Sequence, residues 1–272
     1  MTRNNKPLGE IDLTRWEQYD DILTDSLWLL GKRDNSGAHT ADYWGNFVPQ
    51  IPQQAMRRFT QPGELVIDPF MGFGTTLIEA VRLGRCAIGV DLQPACVEQA
   101  RERVQAETYG DGGRVLPMLG DSTRPETAHA VQEAMREWGF SHAHLLILHP
   151  PYHDIIRFSD HPDDLSNAAD IDAFLERFGQ AAANFAPLLA HGRFLTLVIG
   201  DKYARGEWVP LGFQTMEVVR AQGFRLKSIC VKDIQESRGK RGQQRLWRYR
   251  ALRHNFYVFK HEYVMFFEKV GR

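Results

Sequence analysis

Two short strings carry residues that could do chemistry. The first is Asp68-Pro69-Phe70-Met71-Gly72-Phe73-Gly74-Thr75-Thr76, between the apolar run Leu65-Val66-Ile67 and the helix-like stretch Leu77 to Leu83. A strand, a glycine turn and a helix start bring backbone close to a nucleotide-like ligand, because glycine has no Cβ to hold it off. Thr75 and Thr76 fall where a helix wants an N-cap, and their hydroxyls can also reach a ligand carboxylate. A helix N-terminus favours that negative charge. Asp91 ends the run Ile88-Gly89-Val90, where an acid can accept both hydroxyls of a ribose.

The second string, His149-Pro150-Pro151-Tyr152, follows Leu145-Leu146-Ile147-Leu148 and so sits at the end of another strand. A neutral imidazole accepts a hydrogen bond as a carboxylate does, whereas an imidazolium only donates. Ligands of open α/β sheets bind outside the carboxyl ends of the strands, so both strings face one site.

Together the strings resemble the paired signatures of the S-adenosylmethionine-dependent amino-group DNA methyltransferases, over residues from about 40 to the C-terminus. The resemblance implies S-adenosylmethionine as cofactor, held by Asp68, Pro69, Phe70, Gly72, Gly74, Thr75 and Thr76. It makes Asp91 the ribose acid, sets Leu92 beside the adenine, and puts Asp121 and Ser122 near the adenine amine. Asp121 reads equally as a helix N-cap. Asp68 would contact the methionine amine, and the stretch with Phe47 and Pro49 would cover the methionine end. In the catalytic turn, the Pro150 carbonyl and the His149 side chain would accept the two protons of an exocyclic amine. Pro151 would stiffen the turn and Tyr152 would stack on a flipped base. The family usually has Asp, Asn or Ser where this chain has His149. That change makes an acid limb in the rate expected near the ordinary histidine pKa of about 6.5.

The resemblance implies double-stranded DNA as substrate. Cytosine-N4 members more often carry a small non-carboxylate at the position of His149, and adenine-N6 members Asp or Asn. Although His fits neither habit, cytosine N4 is preferred, with adenine N6 as the alternative. An RNA base N-methyltransferase and a catalytically inactive DNA-binding homologue are the further alternatives. NAD fits the same fold, but the third glycine of a Gly-x-Gly-x-x-Gly pattern is missing. A cognate restriction endonuclease is a candidate partner, and monomer and homodimer stay open.

The elements that must position these residues follow from periodicity. Strands are predicted at 65–68, 86–90, 114–118, 144–148, 193–199 and 225–231, and helices at 75–83, 94–107, 124–138, 170–190 and 208–222. Gln53 to Phe59 reads as a short helix, Trp16 to Leu30 as one amphipathic helix, and Phe256–Phe259 with Tyr263–Phe267 as a closing strand pair. Alternating β and α predicts a parallel sheet covered on both faces. The expected architecture is α/β: a Rossmann-like class I methyltransferase fold, doubly wound, with seven mainly parallel strands and a C-terminal antiparallel hairpin. Residues 1–40 read as an N-terminal extension and 41–272 as the methyltransferase domain.

Net charge is −1, but Lys232 to Arg253 holds eight Lys/Arg against two acids, leaving −7 elsewhere. Clustered cations supply the phosphate term of DNA affinity. Arg238, Lys240, Arg241, Arg245, Arg248 and Arg250, with Trp247 for stacking, are the candidate DNA-binding residues. Recognition elements are expected at 153–169, 200–210 and 232–255. Three scattered cysteines fit a reducing compartment. His153 and His161 complete no set of ligands with zinc spacing, so no metal is expected. No apolar run nears membrane length and Met1 to Glu10 has no signal-peptide core. The expected location is cytoplasmic, with the nucleoid.

Overall fold

Apolar runs bounded by Gly, Pro and Asp become strands, and the amphipathic stretches between them become helices. The computed structural model describes residues 8–40, 45–107, 113–234 and 242–270. In chain order these give β1 (Leu27–Trp28), α1 (Gln50–Phe59), β2 (Leu65–Asp68), α2 (Thr75–Arg82), β3 (Cys86–Asp91) and α3 (Pro94–Ala106). Next come β4 (Val115–Leu119), α4 (Pro125–Glu137), β5 (Ala143–Leu148), α5 (Ile171–Phe185), β6 (Leu189–Ile199), β7 (Lys202–Ala204) and β8 (Glu207–Val209). The chain closes with α6 (Leu211–Ala221), β9 (Phe224–Asp233), α7 (Gln244–His254) and β10 (His261–Lys269).

The main sheet has the order β1-β9-β10-β6-β5-β2-β3-β4. It is parallel except for β10, which runs antiparallel to both β6 and β9. Successive side chains alternate between its two faces. Leu65, Ile67, Leu146 and Leu148 pack with Val131, Phe174, Phe178 and Val219 from α4, α5 and α6. Val66, Leu145 and Ile147 pack on the other face with Ile51, Leu77, Ala80 and Val97 from α1, α2 and α3. Burial on both faces explains why these strands read as unbroken apolar runs. The strand order reverses between β2 and β5, which pair through Val66–Leu145 and Ile67–Leu146. The two chemical strings therefore leave adjacent strands at the point where such sheets bind ligands. This is a Rossmann-like, doubly wound α/β architecture.

Four expectations change. The sheet has eight strands, because β1 adds to the edge parallel to β9. Trp16 to Leu30 is not a helix: a 3₁₀ turn at Leu13–Gln18 is followed by β1. Trp28 is 1% exposed and packs on Phe266, so tertiary burial overrides the helical pattern. The closing hairpin joins β9 to β10, and 256–259 is unpaired because both edges of β10 are taken. Instead Phe256 stacks on Tyr203 and Phe259 packs on Trp208. Finally, the loop expected at 200–210 contains the β7–β8 ribbon. It turns at Arg205-Gly206, both with positive φ, as a two-residue hairpin requires.

Candidate active site

The glycine turn is shaped from within. Asp91, at the end of β3, accepts the Gly72 N–H at 3.0 Å on one carboxylate oxygen and the Gln93 N–H at 2.9 Å on the other. Burial raises its carboxyl above the usual range. Gly72 and Gly74 both have positive φ. Gly74 packs against α3: a Cβ there would fall 3.0 Å from Ala100 Cβ. Its hydrogen side chain serves the backbone and the α2–α3 contact, and it does not wall the cleft.

The threonines also turn inward. Thr76 donates its hydroxyl to Asp68, and Thr75 donates to Asn46 Oδ1 at 2.6 Å. Asp68 is fully buried and also accepts the Phe70 N–H, and burial pushes its carboxyl up to about 7. These bonds lock the strand end to the helix start, and Asp68, Thr75 and Thr76 are not among the residues that line the adjoining cleft. Pro49 is buried at the start of α1, away from the cleft.

A cleft of about 1270 Å³ joins the two strings. Its walls include Phe47, Pro69, Phe70, Gly72, Asp91, Leu92, Asp121 and Ser122 on the side of the glycine turn. All four residues of the second string line it as well: His149, Pro150, Pro151 and Tyr152. Asp121 accepts from the Thr123 N–H and hydroxyl, which stabilises the turn into α4. Ser122 donates to the Pro69 carbonyl at 2.7 Å and so pins the end of β4 to the first turn.

The second string is tied to the antiparallel strands. His149 Nε2 lies 3.3 Å from the Tyr152 hydroxyl, which donates to Glu262 Oε2 at 2.8 Å. Lys232 donates from Nζ to Glu262 Oε1 at 2.9 Å. Burial lowers the His149 imidazole to about 4; nearby Glu262 opposes this shift and Lys232 adds to it. Burial would raise Glu262, but the Lys232 ammonium, His149 and the Tyr152 hydrogen bond together outweigh it and hold the carboxyl below the usual range. Burial and the Glu262 charge push the Tyr152 phenol well above its ordinary value. At neutral pH the set is therefore a neutral imidazole, a phenol, a carboxylate and an ammonium. The Phe47 ring covers His149 at 4.6 Å between centroids.

Several cleft residues were invisible to sequence reasoning. Arg33 donates to the Phe47 carbonyl at 2.7 Å, fixing that segment of the cleft wall. Lys202 donates to His153 Nδ1 at 2.9 Å and pairs with Asp154. Lys232 did leave a signal, as the first residue of the basic run. Of the basic candidates, Trp247 and Arg250 reach the cleft wall from α7. Arg245 and Arg248 lie exposed on the same helix. Arg238, Lys240 and Arg241 lie outside the described residues. Among the described residues no group of three His, Cys, Asp or Glu could hold a metal ion, and no helix is long and apolar enough to cross a membrane.

Residues 5–102 match a family model described as DNA methylase, for N6 and N4 methyltransferases. The chain is 34% identical over 94 residues to the Type II methyltransferase M2.DpnII of Streptococcus pneumoniae, covering 29% of this chain and 35% of that protein. It is 42% identical over 52 residues to M.MjaII of Methanocaldococcus jannaschii, covering 19% and 10%. The aligned parts thus span 35% or less of these relatives' length. Among solved structures, TrmN from Thermus thermophilus aligns at TM-score 0.49 and 17% identity, over 82% of this chain and 49% of that one. The match and the two turns relate the chain to the amino-group DNA methyltransferase family.

S-adenosylmethionine is the cofactor of that family, and the residues present fit it. Asp91 stands at the strand end with lone pairs to spare for a ribose diol. Asn46 Nδ2 is buried on the cleft side with no partner among the described residues, a donor waiting for an acceptor.

Proposed function

We propose that this protein transfers a methyl group to the exocyclic amine of a base flipped out of double-stranded DNA, with cytosine N4 preferred and adenine N6 as the alternative target. One observation carries the reading: a single cleft is walled by the glycine turn on one side and by a neutral His149 beside Pro150 on the other. The bound cofactor supplies an electrophilic methyl on a sulfonium. What the protein must add is position and hydrogen bonding. An exocyclic amine is a poor nucleophile because its lone pair is delocalised into the ring. Acceptors on both N–H groups draw the nitrogen toward sp3 geometry and expose that lone pair. His149 and the Pro150 carbonyl are proposed as those acceptors, with Pro151 rigidifying the turn and Tyr152 flanking the base. Cytosine N4 is preferred because position 149 holds neither the Asp nor the Asn more usual in adenine-N6 members of the family it resembles.

DNA contact is proposed for α7, the β7–β8 ribbon and the loop after Tyr152, all of which border the cleft. The test is incubation of purified protein with cofactor and DNA carrying many sequence contexts, followed by nucleoside mass spectrometry. N4-methylcytosine is the expected product. N6-methyladenine would transfer the reading to the alternative target. Methylation of RNA alone, or no base product with cofactor bound, would overturn it.

A further inference from the structure

We propose that Glu262 and Lys232 are positioning residues that fix His149 as its Nε2–H tautomer, so that the Nδ1 lone pair is the acceptor presented to the target amine. This rests on the methyl-transfer reading for its purpose, but the tautomer itself follows from a proton count. A phenol has one proton, and an ionised carboxylate can only accept. Tyr152 therefore gives its proton to Glu262 at 2.8 Å. What its oxygen offers His149 Nε2, 3.3 Å away, is a lone pair, so Nε2 must carry the imidazole proton. A neutral imidazole has one N–H. Nδ1 is left unprotonated, and it has no hydrogen-bond partner among the described residues. The ring is held in place by Phe47 on one face and by the edge-on Tyr152 ring.

Lys232 gives the device its direction. It occupies Glu262 Oε1, so Oε2 is the oxygen that meets Tyr152. In Glu262→Gln the ammonium would still demand an oxygen, turning the amide NH2 toward Tyr152. The amide N–H would then donate to the phenol oxygen, and the phenol proton would pass to His149 Nε2. The imidazole would be forced to the Nδ1–H form, a donor facing the donors of the amine. The substitution is nearly isosteric and acts through Tyr152, yet it inverts the acceptor.

The experiment is a long-range proton–nitrogen correlation spectrum of protein with ¹⁵N-labelled histidine at neutral pH, with His149 assigned by its loss in His149→Ala. Wild type should show a protonated Nε2 and an unprotonated Nδ1. Glu262→Gln should show the reverse, with kcat reduced ~100-fold and KM values for cofactor and DNA within about twofold. Tyr152→Phe, which adds no buried polar group, should give a mixture of both tautomers. An Nδ1–H form in wild type, or a pure Nε2–H form in Tyr152→Phe, would overturn the proposal. Because the spectrum needs no turnover, an inactive protein with the expected tautomers would refute methyl transfer while supporting the positioning device. An active enzyme with unaltered tautomers in the variants would do the opposite.

Discussion

His149 carries an imidazole kept neutral by burial, at a pKa of about 4. The acid limb expected near pH 6.5 for an ordinary histidine therefore moves out of the working range. Single-turnover transfer with saturating cofactor and DNA should change less than about twofold through His149 between pH 5.5 and 8.5. A loss centred near 6.5 would show that another group titrates. The depressed value also has a stability consequence. Between about 6.5 and 4 the unfolded chain binds a proton at His149 that the folded chain refuses, so stability falls as pH drops through that window. Denaturant titrations at pH 7 and 4.5 should show wild type losing more stability than His149→Asn over that interval.

The helix α7 is unusual among the elements in burying none of its residues. It contains no acid and displays Arg245, Arg248, Arg250 and Arg253. Arg250 lies over the Trp247 ring at 5.3 Å, and Arg253 bonds the Tyr249 hydroxyl at 3.1 Å. Replacing Arg245, Arg248 and Arg250 with Ala should weaken DNA binding and flatten the slope of log K against log salt by up to about 0.9 per lost phosphate contact. An unchanged slope would place the phosphate contacts elsewhere. The helix itself was hidden in the sequence because arginines and glutamines after glycine read as a loop when no apolar stripe marks a buried face. The central strands were legible for the opposite reason: Leu65-Val66-Ile67 and Leu145–Leu148 are buried on both faces and carry no competing signal. The two turns of the site were legible too, since each is encoded by contiguous residues. Glu262 was not, because it meets Tyr152 from 110 residues away through a β10 pairing that no local pattern announces.

At the scale of the whole molecule, described residues before α1 are bound into the domain, Glu10 among them. Glu10 pairs with Arg57 at 2.8 Å and with Arg85 at 2.6 Å, and Arg85 is 1% exposed. Arg85 also donates to the Thr60 carbonyl and hydroxyl, so removing Glu10 strips one partner of several. Glu10→Ala should cost about 2 kcal/mol in equilibrium unfolding. The exposed neighbour Glu17 should be near neutral to the same change.

The pairing of β2 with β5 has one more implication. Donor and acceptor turns are rooted on strands whose separation is set by backbone hydrogen bonds, at roughly 4.8 Å as in any sheet. The sheet would thus act as a ruler for the proposed transfer, its strand spacing set by backbone alone. The elements proposed to read the DNA, α7 and the β7–β8 ribbon, leave the fold elsewhere. Sequence preference can then drift, or be engineered, by exchanging those parts while the distance over which the methyl travels stays the same.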